Sequence, residues 1–150
     1  MAQPNFIDPG DDGRAMEDVR LGAHNTPRVY PWKSLLEAGA TLALSSDYYV
    51  APGPALLDVY AAHTRANRAG QPAGGWQPQE RLSPRQAVEL ATTLHRGGGT
   101  QRAGVLRAGA VADLTVLSAN PLTCPPDELL AITVQRTVRR GTATYTAPPV

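Results

Sequence analysis

The fold class is decided by the sequence ATLALSSD at residues 40–47. This apolar run has the length of a β-strand, and the absence of alternation in it is typical of a strand buried on both faces. Helical patterns precede and follow it, and strands that alternate with helices predict an α/β fold. The run ends in a carboxylate. Because α/β folds bind ligands at the carboxyl ends of their strands, Asp47 is the sharpest candidate for a functional residue.

Start and stop residues predict two of the helices that flank this strand. Pro31 opens the first helix, and Gly39 lies where a left-handed cap belongs. Ser83 and Gln86 have the spacing of a capping box at the start of the other helix, which is expected to continue until the glycines at residues 97–99. A glycine run after a helix is a stop signal, whereas phosphate-binding loops precede a helix.

A further helix is predicted to begin at Pro54, with its apolar side chains on one stripe. Its opposite face carries Asp58, Arg65 and Asn67, which are expected to face solvent. Residues 69–79 follow without any periodicity and predict a long loop.

The pattern changes to short strands after residue 100. Strands are predicted at residues 105–106, 111–117, 132–138 and 142–145, with one helical turn at residues 125–130. Arg140 and Gly141 join the last two strands and predict a hairpin. The change places a domain boundary between residues 1–99 and residues 100–150.

Composition excludes several classes of protein. The chain has 150 residues, and its 14 Lys and Arg nearly cancel its 13 Asp and Glu, so the net charge of +1 gives no electrostatic basis for binding nucleic acid or an anionic membrane. One cysteine cannot make a disulfide scaffold, and no apolar run has the length of a membrane span. No secretory signal is visible, so we expect a cytoplasmic protein.

Other chemical side chains have simpler interpretations. His24, His63 and His95 form no pair at i, i+4 and no zinc-motif spacing, so they are expected on the surface or at helix ends. Cys124 lacks a basic neighbour that would lower its thiol pKa, which argues against a nucleophile. For Asp47 itself, a turn or helix cap is the alternative to a functional role.

Six stretches of the sequence together resemble a known family. They are QPNF at residues 3–6, RLG at 20–22, YPWKSLLEAG at 30–39, SD at 46–47, GVLRAGAVADLTVL at 104–117 and NPL at 120–122. The chain resembles the C-terminal third of the metal-dependent amidohydrolase superfamily, in the branch of imidazolonepropionase-like and N-substituted formamide deformylase-like enzymes called amidohydrolase family 3. The stretch at residues 104–117 is the most specific of the six.

The resemblance implies the C-terminal part of a (β/α)₈ barrel, followed by the C-terminal strands of a small β-sandwich. Residues 1–7 would be the seventh barrel strand and residues 41–45 the eighth. Asp47 would be the family's Asp, which contacts the metal and takes a proton from the attacking water. The family's other metal ligands have no match in this sequence. They are a His-x-His pair, a carboxylated Lys or Glu and two single His residues.

The resemblance therefore implies a fragment of a metal-dependent hydrolase that acts on non-peptide carbon–nitrogen bonds of amide or formamide type. The complete enzyme would hold a divalent metal, with zinc the first candidate, and would act on a small-molecule amide. One carboxylate cannot hold a metal that needs three or more protein ligands, so the isolated chain is expected to be inactive and to hold no metal.

Two alternatives come from other functional classes. The chain could be a non-catalytic half whose open sheet edge pairs with a separate chain that carries the missing strands. It could instead be a free-standing α/β binding module in which Gln3, Asn5 and Trp76 line a pocket together with Asp47. The second alternative predicts cooperative unfolding in isolation.

Overall fold

The computed structural model describes residues 1–7, 14–51, 53–92 and 104–149. Its α-helices are α1 (Met16–Asn25), α2 (Trp32–Glu37), α3 (Ala55–Thr64) and α4 (Pro84–Thr92), and its strands are β1 (Leu114–Leu117), β2 (Val134–Arg139) and β3 (Thr142–Thr146). Short 3₁₀ helices lie at Pro4–Phe6, Thr26–Arg28, Pro78–Glu80 and Pro126–Ala131. None of the helices in these ranges is long and apolar enough to cross a membrane.

Helices α2 and α4 confirm the predictions made from their end residues. Gly39 follows α2 with a φ of 86°, the left-handed conformation that a glycine cap adopts at low cost. At the start of α4, the Gln86 N–H donates to Ser83 Oγ at 3.2 Å and the Ser83 N–H donates to Gln86 Oε1 at 2.9 Å. This is the predicted capping box. The predicted end of α4 at residues 97–99 lies outside the described residues.

Helix α1 was not predicted, because its sequence shows no apolar stripe and none of its residues is buried. Its start is stabilised by Asp18, whose Oδ2 accepts the Ala15 N–H at 2.8 Å. Its regular geometry is interrupted at Gly22, where φ is 71°. Polar contacts also hold the helix from outside, since Asp18 Oδ2 accepts the Trp76 Nε1–H and Glu17 Oε1 accepts the Tyr30 hydroxyl, each at 2.8 Å.

Helix α3 is buried on nearly all sides, and one prediction about it is wrong. Residues 57–62 are all buried, and these include Asp58, which was expected to face solvent. Arg65, which follows the helix with a φ of 60°, is 0% exposed. Helix α4 and the 3₁₀ helices at Pro4–Phe6 and Pro126–Ala131 pack against α3, so the polar face expected from the sequence became an interior face.

The predicted parallel strands are reduced to a single bridge between Ala2 and Leu44. The Ala2 N–H donates to the Ala43 carbonyl at 2.8 Å, and the Ala2 carbonyl accepts the Ser45 N–H at 2.9 Å. The next residue in this register is Pro4, which has no N–H and starts a 3₁₀ helix, so the ladder ends there. The prediction that residues 40–45 form a strand buried on both faces is therefore wrong, since these residues are half-buried or exposed.

The C-terminal part forms an antiparallel sheet in the order β1-β2-β3. Leu114 pairs with Val138, and Thr137 pairs with Tyr145. The predicted hairpin is confirmed: Arg140 and Gly141 have φ values of 49° and 81°, the pair of positive values that a two-residue type I′ turn requires. The predicted strand at residues 105–106 does not form, because Leu106 is 87% exposed and has no strand partner among the described residues.

Two clusters of buried side chains hold these elements together. The larger one joins the N-terminal segment and the helices through Ala2, Ile7, Ala15, Trp32, Val59, Ala62, Trp76, Leu82 and Ala87. In the smaller one, Leu57 and Tyr60 of α3 pack against Leu129 and Ile132 beside the sheet. The structure is thus α/β with a small antiparallel sheet. The division into residues 1–99 and 100–150 stays a prediction.

Candidate functional site

Asp47 lies in a tight turn directly after the parallel bridge. Its φ is 51°, a left-handed conformation that Asp tolerates better than most side chains. The turn is held by two hydrogen bonds: the Asp47 N–H donates to Ser45 Oγ at 3.1 Å, and the Asp47 carbonyl accepts the Val50 N–H at 2.7 Å. The Asp47 side chain is exposed. The backbone thus presents this carboxylate to solvent at the end of the bridged segment.

The chain that follows Asp47 is apolar and exposed. Tyr48, Tyr49 and Val50 are 67%, 85% and 71% exposed, and the two tyrosine rings contact each other at an interplanar angle of 37°, with centroids 4.0 Å apart. Ala51 then returns to the interior, where it is buried. Three consecutive exposed apolar residues next to a candidate catalytic carboxylate form a surface that is well suited to contact another molecule.

A cavity of about 330 Å³ lies where this segment meets α3. The described residues that line it come from the N-terminal segment, the end of the Asp47 loop, α3 and the loop after α3: Asn5, Ile7, Ala51, Leu57, Ala61, Ala66, Asn67, Arg68 and Ala69. Its volume is at the lower end of the range of about 300 to 1,000 Å³ found for ligand sites, and its mainly apolar lining with a few polar groups is typical of such sites.

Only one of the three residues predicted for a pocket lines this cavity. Asn5 does so, and its Nδ2 is buried without a hydrogen-bond partner. Gln3 is half-buried on the same segment, but it is not one of the lining residues. Trp76 is a buried member of the larger core, where its Nε1 donates to Asp18 Oδ2 at 2.8 Å. The structure therefore does not bring Gln3, Asn5 and Trp76 to one cavity.

Asp58 follows the lining residue Leu57 on α3, and the sequence did not indicate it as a candidate. It is only 4% exposed, and its Oδ1 has no hydrogen-bond partner. Burial raises the pKa of Asp58 to about 6, against the opposing effect of a hydrogen bond from the Asn5 backbone. A buried carboxyl with a raised pKa beside a cavity is a feature of functional sites, although structural groups show it too. No feature of the sequence around Asp58 distinguishes it from an exposed helical Asp.

Arg65 was also missed, and it organises the interior between the helices. Its guanidinium lies 4.8 Å from the Trp32 ring centroid and 5.2 Å from that of Trp76. Nε donates to the Trp76 carbonyl at 3.0 Å, and Nη1 donates to the Tyr30 carbonyl at 3.1 Å. Burial lowers the pKa of Arg65 to about 10, while the nearby Glu80 acts in the opposite direction. The charge is thus retained at neutral pH, and Arg65 has a structural role.

The remaining chemical side chains do not assemble a reactive group. The described histidines are apart: His24 is exposed near the end of α1, and His63 on α3 has its Nδ1 2.8 Å from the Leu82 carbonyl. His95 lies outside the described residues. Burial, together with the nearby Glu128, raises the pKa of the Cys124 thiol, which agrees with the expectation that it is not an activated nucleophile.

The metal centre that the resemblance implies needs several ligands in one place. Within residues 1–7, 14–51, 53–92 and 104–149, no three His, Cys, Asp or Glu side chains form a group that could hold a metal ion. Asp47 has an exposed carboxylate that could be one ligand, but structural and catalytic zinc sites need three or four. The described residues therefore do not by themselves fit a complete metal centre.

Known proteins resemble this chain over most of its length. It is 29% identical to the "Putative amidohydrolase YtcJ" of Bacillus subtilis (strain 168) over 145 residues, which are 95% of this chain and 27% of that protein. It is also 29% identical to the N-substituted formamide deformylase of Arthrobacter pascens over 120 residues, which are 79% of this chain and 22% of that protein. The chain thus spans about a quarter of the length of these relatives. No solved structure matches it significantly.

A sequence model of the amidohydrolase family matches residues 2–145. The match includes the Asp47 turn, the cavity, the helices and nearly all of the antiparallel sheet. It confirms the family resemblance that the motifs at residues 3–6, 30–39 and 104–117 indicated. This chain belongs to the amidohydrolase family.

Proposed function

We propose that this chain supplies the C-terminal part of the catalytic unit of a hydrolase that cleaves carbon–nitrogen bonds other than peptide bonds. The observation that carries the proposal is the family match over residues 2–145. The similarity to a relative named N-substituted formamide deformylase supports a small amide or formamide as the substrate class. In this proposal residues 1–7 and 41–45 would become neighbouring strands of a (β/α)₈ barrel when the other strands of a complete enzyme are present, and the parallel direction of the bridge between Ala2 and Leu44 supports this arrangement.

Asp47 is the residue of this chain that we assign to the reaction. Its exposed carboxylate follows the bridged segment directly, as expected for a side chain at the carboxyl end of a barrel strand. There it would be one ligand of a divalent metal, zinc being the first candidate, and would accept the proton of the attacking water. A bound metal would lower the pKa of that water to near neutrality. The other ligands have to come from outside the described residues.

The isolated chain is expected to be inactive, because a single carboxylate does not retain a catalytic metal. The test combines zinc analysis with hydrolysis of N-benzylformamide, measured by amine release from the purified chain. We expect substoichiometric zinc and no hydrolysis. The proposal of an inactive isolated chain would be overturned by one zinc per chain together with hydrolysis. Both would have to be lost in Asp47→Ala and kept in the exposed control Asp127→Asn.

A second candidate function is that of a non-catalytic half that pairs with a separate chain. The observation that favours it is the exposed apolar segment formed by Tyr48, Tyr49 and Val50. Purification of the tagged chain from its source should then recover a second polypeptide that carries a His-x-His sequence. Replacement of both tyrosines by Ser should abolish the recovery. A monomer that carries no such partner would exclude this candidate.

A further inference from the structure

We propose that the side-chain N–H₂ group of Asn5 binds the carbonyl oxygen of the amide substrate, and that the cavity beside Asn5 holds an apolar substituent of that substrate. The inference rests on the proposed function, because the ligand belongs to the substrate class proposed there. It adds a substrate-binding residue to Asp47, which was assigned to the metal and the attacking water, and a pocket for the part of the substrate that does not react.

Asn5 and Asp47 follow the two bridged segments at the same end. The bridge between Ala2 and Leu44 is parallel, and each of the two polar residues comes three positions after its bridged residue. In α/β folds, residues that follow neighbouring parallel strands bind one ligand at the carboxyl ends of those strands. Asn5 also lines the cavity together with Ala51, at the end of the Asp47 loop. The cavity thus lies between the segment of Asn5 and the segment of Asp47.

The backbone of Asn5 is fixed, whereas its side-chain donor is free to bind a ligand. The backbone N–H donates to the carboxyl group of Asp58, but Nδ2 is buried without a hydrogen-bond partner. Asn67 and Arg68 also line the cavity, and both already take part in interactions within the fold. The last torsion of an Asn side chain is soft, so Nδ2 can turn toward a ligand without breaking a hydrogen bond of its own. A ligand carbonyl would remove the cost of this unsatisfied donor.

The rest of the lining fits a short hydrocarbon chain. Ile7 and Leu57 supply aliphatic surface, and Ala51, Ala61 and Ala66 leave the volume of about 330 Å³ open. All five residues are buried, so a hydrocarbon group that binds among them is largely removed from water. In a formamide the substituent can only be on the nitrogen, because the carbonyl carbon carries hydrogen. The structure therefore favours a formamide with a short N-alkyl chain.

The test titrates the full ¹⁵N-labelled chain with N-butylformamide in the presence of EDTA and records amide chemical shifts. N-methylformamide has the same carbonyl group and a shorter chain. We expect saturable shifts at residues 7, 61 and 66 with N-butylformamide, and about tenfold weaker binding of N-methylformamide. Asn5→Leu keeps the size of the side chain and removes the donor, so the affinity for N-butylformamide should fall about fivefold. The matched control Asn25→Leu changes an exposed Asn and should bind as the wild type does.

Four results would overturn the inference. They are shifts that do not saturate, saturable shifts confined to residues outside the cavity lining, equal affinities for the two formamides, and unchanged binding in Asn5→Leu. If the spectrum of Asn5→Leu shows that it does not fold, Asn5→Ala takes its place with the same expected loss. The titration needs neither metal nor turnover. Its failure is therefore distinct from a failure of the proposed function, which the zinc analysis and the hydrolysis assay detect.

Discussion

Replacing Asp58 by Asn removes an ionisable group from the interior of the protein with little change of shape. The folded protein holds the pKa of Asp58 at about 6 because α3 is buried on nearly all sides, whereas the ordinary value is 3.8. The folded state therefore binds this proton more tightly than the unfolded state does. The contribution of Asp58 to the free energy of unfolding is fully present below about pH 4, falls as the pH rises, and is lost above about pH 6.

The magnitude follows from the size of the shift. A shift of about two pH units corresponds to about 3 kcal/mol, because each unit is worth about 1.4 kcal/mol. Wild-type protein should therefore lose about 3 kcal/mol between pH 4 and pH 7.5 through this group alone, and Asp58→Asn should not. The quantity to compare is the difference between the two proteins at each pH, since the other titrating groups cancel in it.

Urea unfolding at pH 4.0, 5.0, 6.0 and 7.5 measures this difference. Asp58→Asn should gain about 3 kcal/mol relative to the wild type across the series, with most of the change between pH 4 and pH 6. Glu89→Gln removes an exposed carboxylate from α4 and should differ from the wild type by less than about 0.5 kcal/mol at every pH. A difference for Asp58→Asn that stays constant from pH 4.0 to pH 7.5 would refute the reasoning, because a buried ionisable group must couple folding to pH.

Three further predictions concern stability. Arg65→Met should lower the free energy of unfolding, measured with urea, by about 3 kcal/mol or more, because it leaves two buried backbone carbonyls and Glu80 without their cation. A loss below about 1 kcal/mol would show that the guanidinium is not needed. Ser83→Ala should cost about 1 kcal/mol and reduce helicity measured by circular dichroism, and an unchanged protein would mean that the capping box is dispensable. Gly141→Ala should lower the free energy of unfolding by about 1 kcal/mol from backbone strain alone, because an added Cβ meets nothing within 4 Å. Gly53→Ala should lower it more, because its Cβ would lie 2.8 Å from a methyl group of Leu57. Equal losses in urea unfolding would contradict the packing at Gly53.

Local signals explain why several elements could be predicted. The capping box at Ser83, the glycine cap after α2 and the turn at residues 140–141 all depend on residues that are close in sequence. Their hydrogen bonds and backbone angles are nearly independent of the rest of the chain. Motifs of the same local kind, above all residues 104–117, were sufficient to identify the family.

The surroundings of the candidate site could not be predicted in the same way. Asp47 was found because a carboxylate follows an apolar run, but the cavity forms only where the N-terminal residues Asn5 and Ile7 meet residues 51–69, which are distant from them in sequence. The run itself was expected to form a buried strand, and the structure has one bridge there. A strand requires partners on its edges, and neither a propensity nor a pattern within the run states whether those partners are present.

What the sequence alone determined is the family, the start of α4, the glycine cap after α2, the hairpin and the choice of Asp47 as a candidate carboxylate. Only the tertiary structure decided that Asp58 and Arg65 are buried, that Trp76 packs in the core, and that Asn5 and Arg68 line one cavity. The physical reason is the range of the interactions. Caps and turns are set by neighbours within a few residues. Burial, and with it the shifted pKa values of Asp58, Arg65 and Cys124, depends on which distant segments exclude water from a side chain.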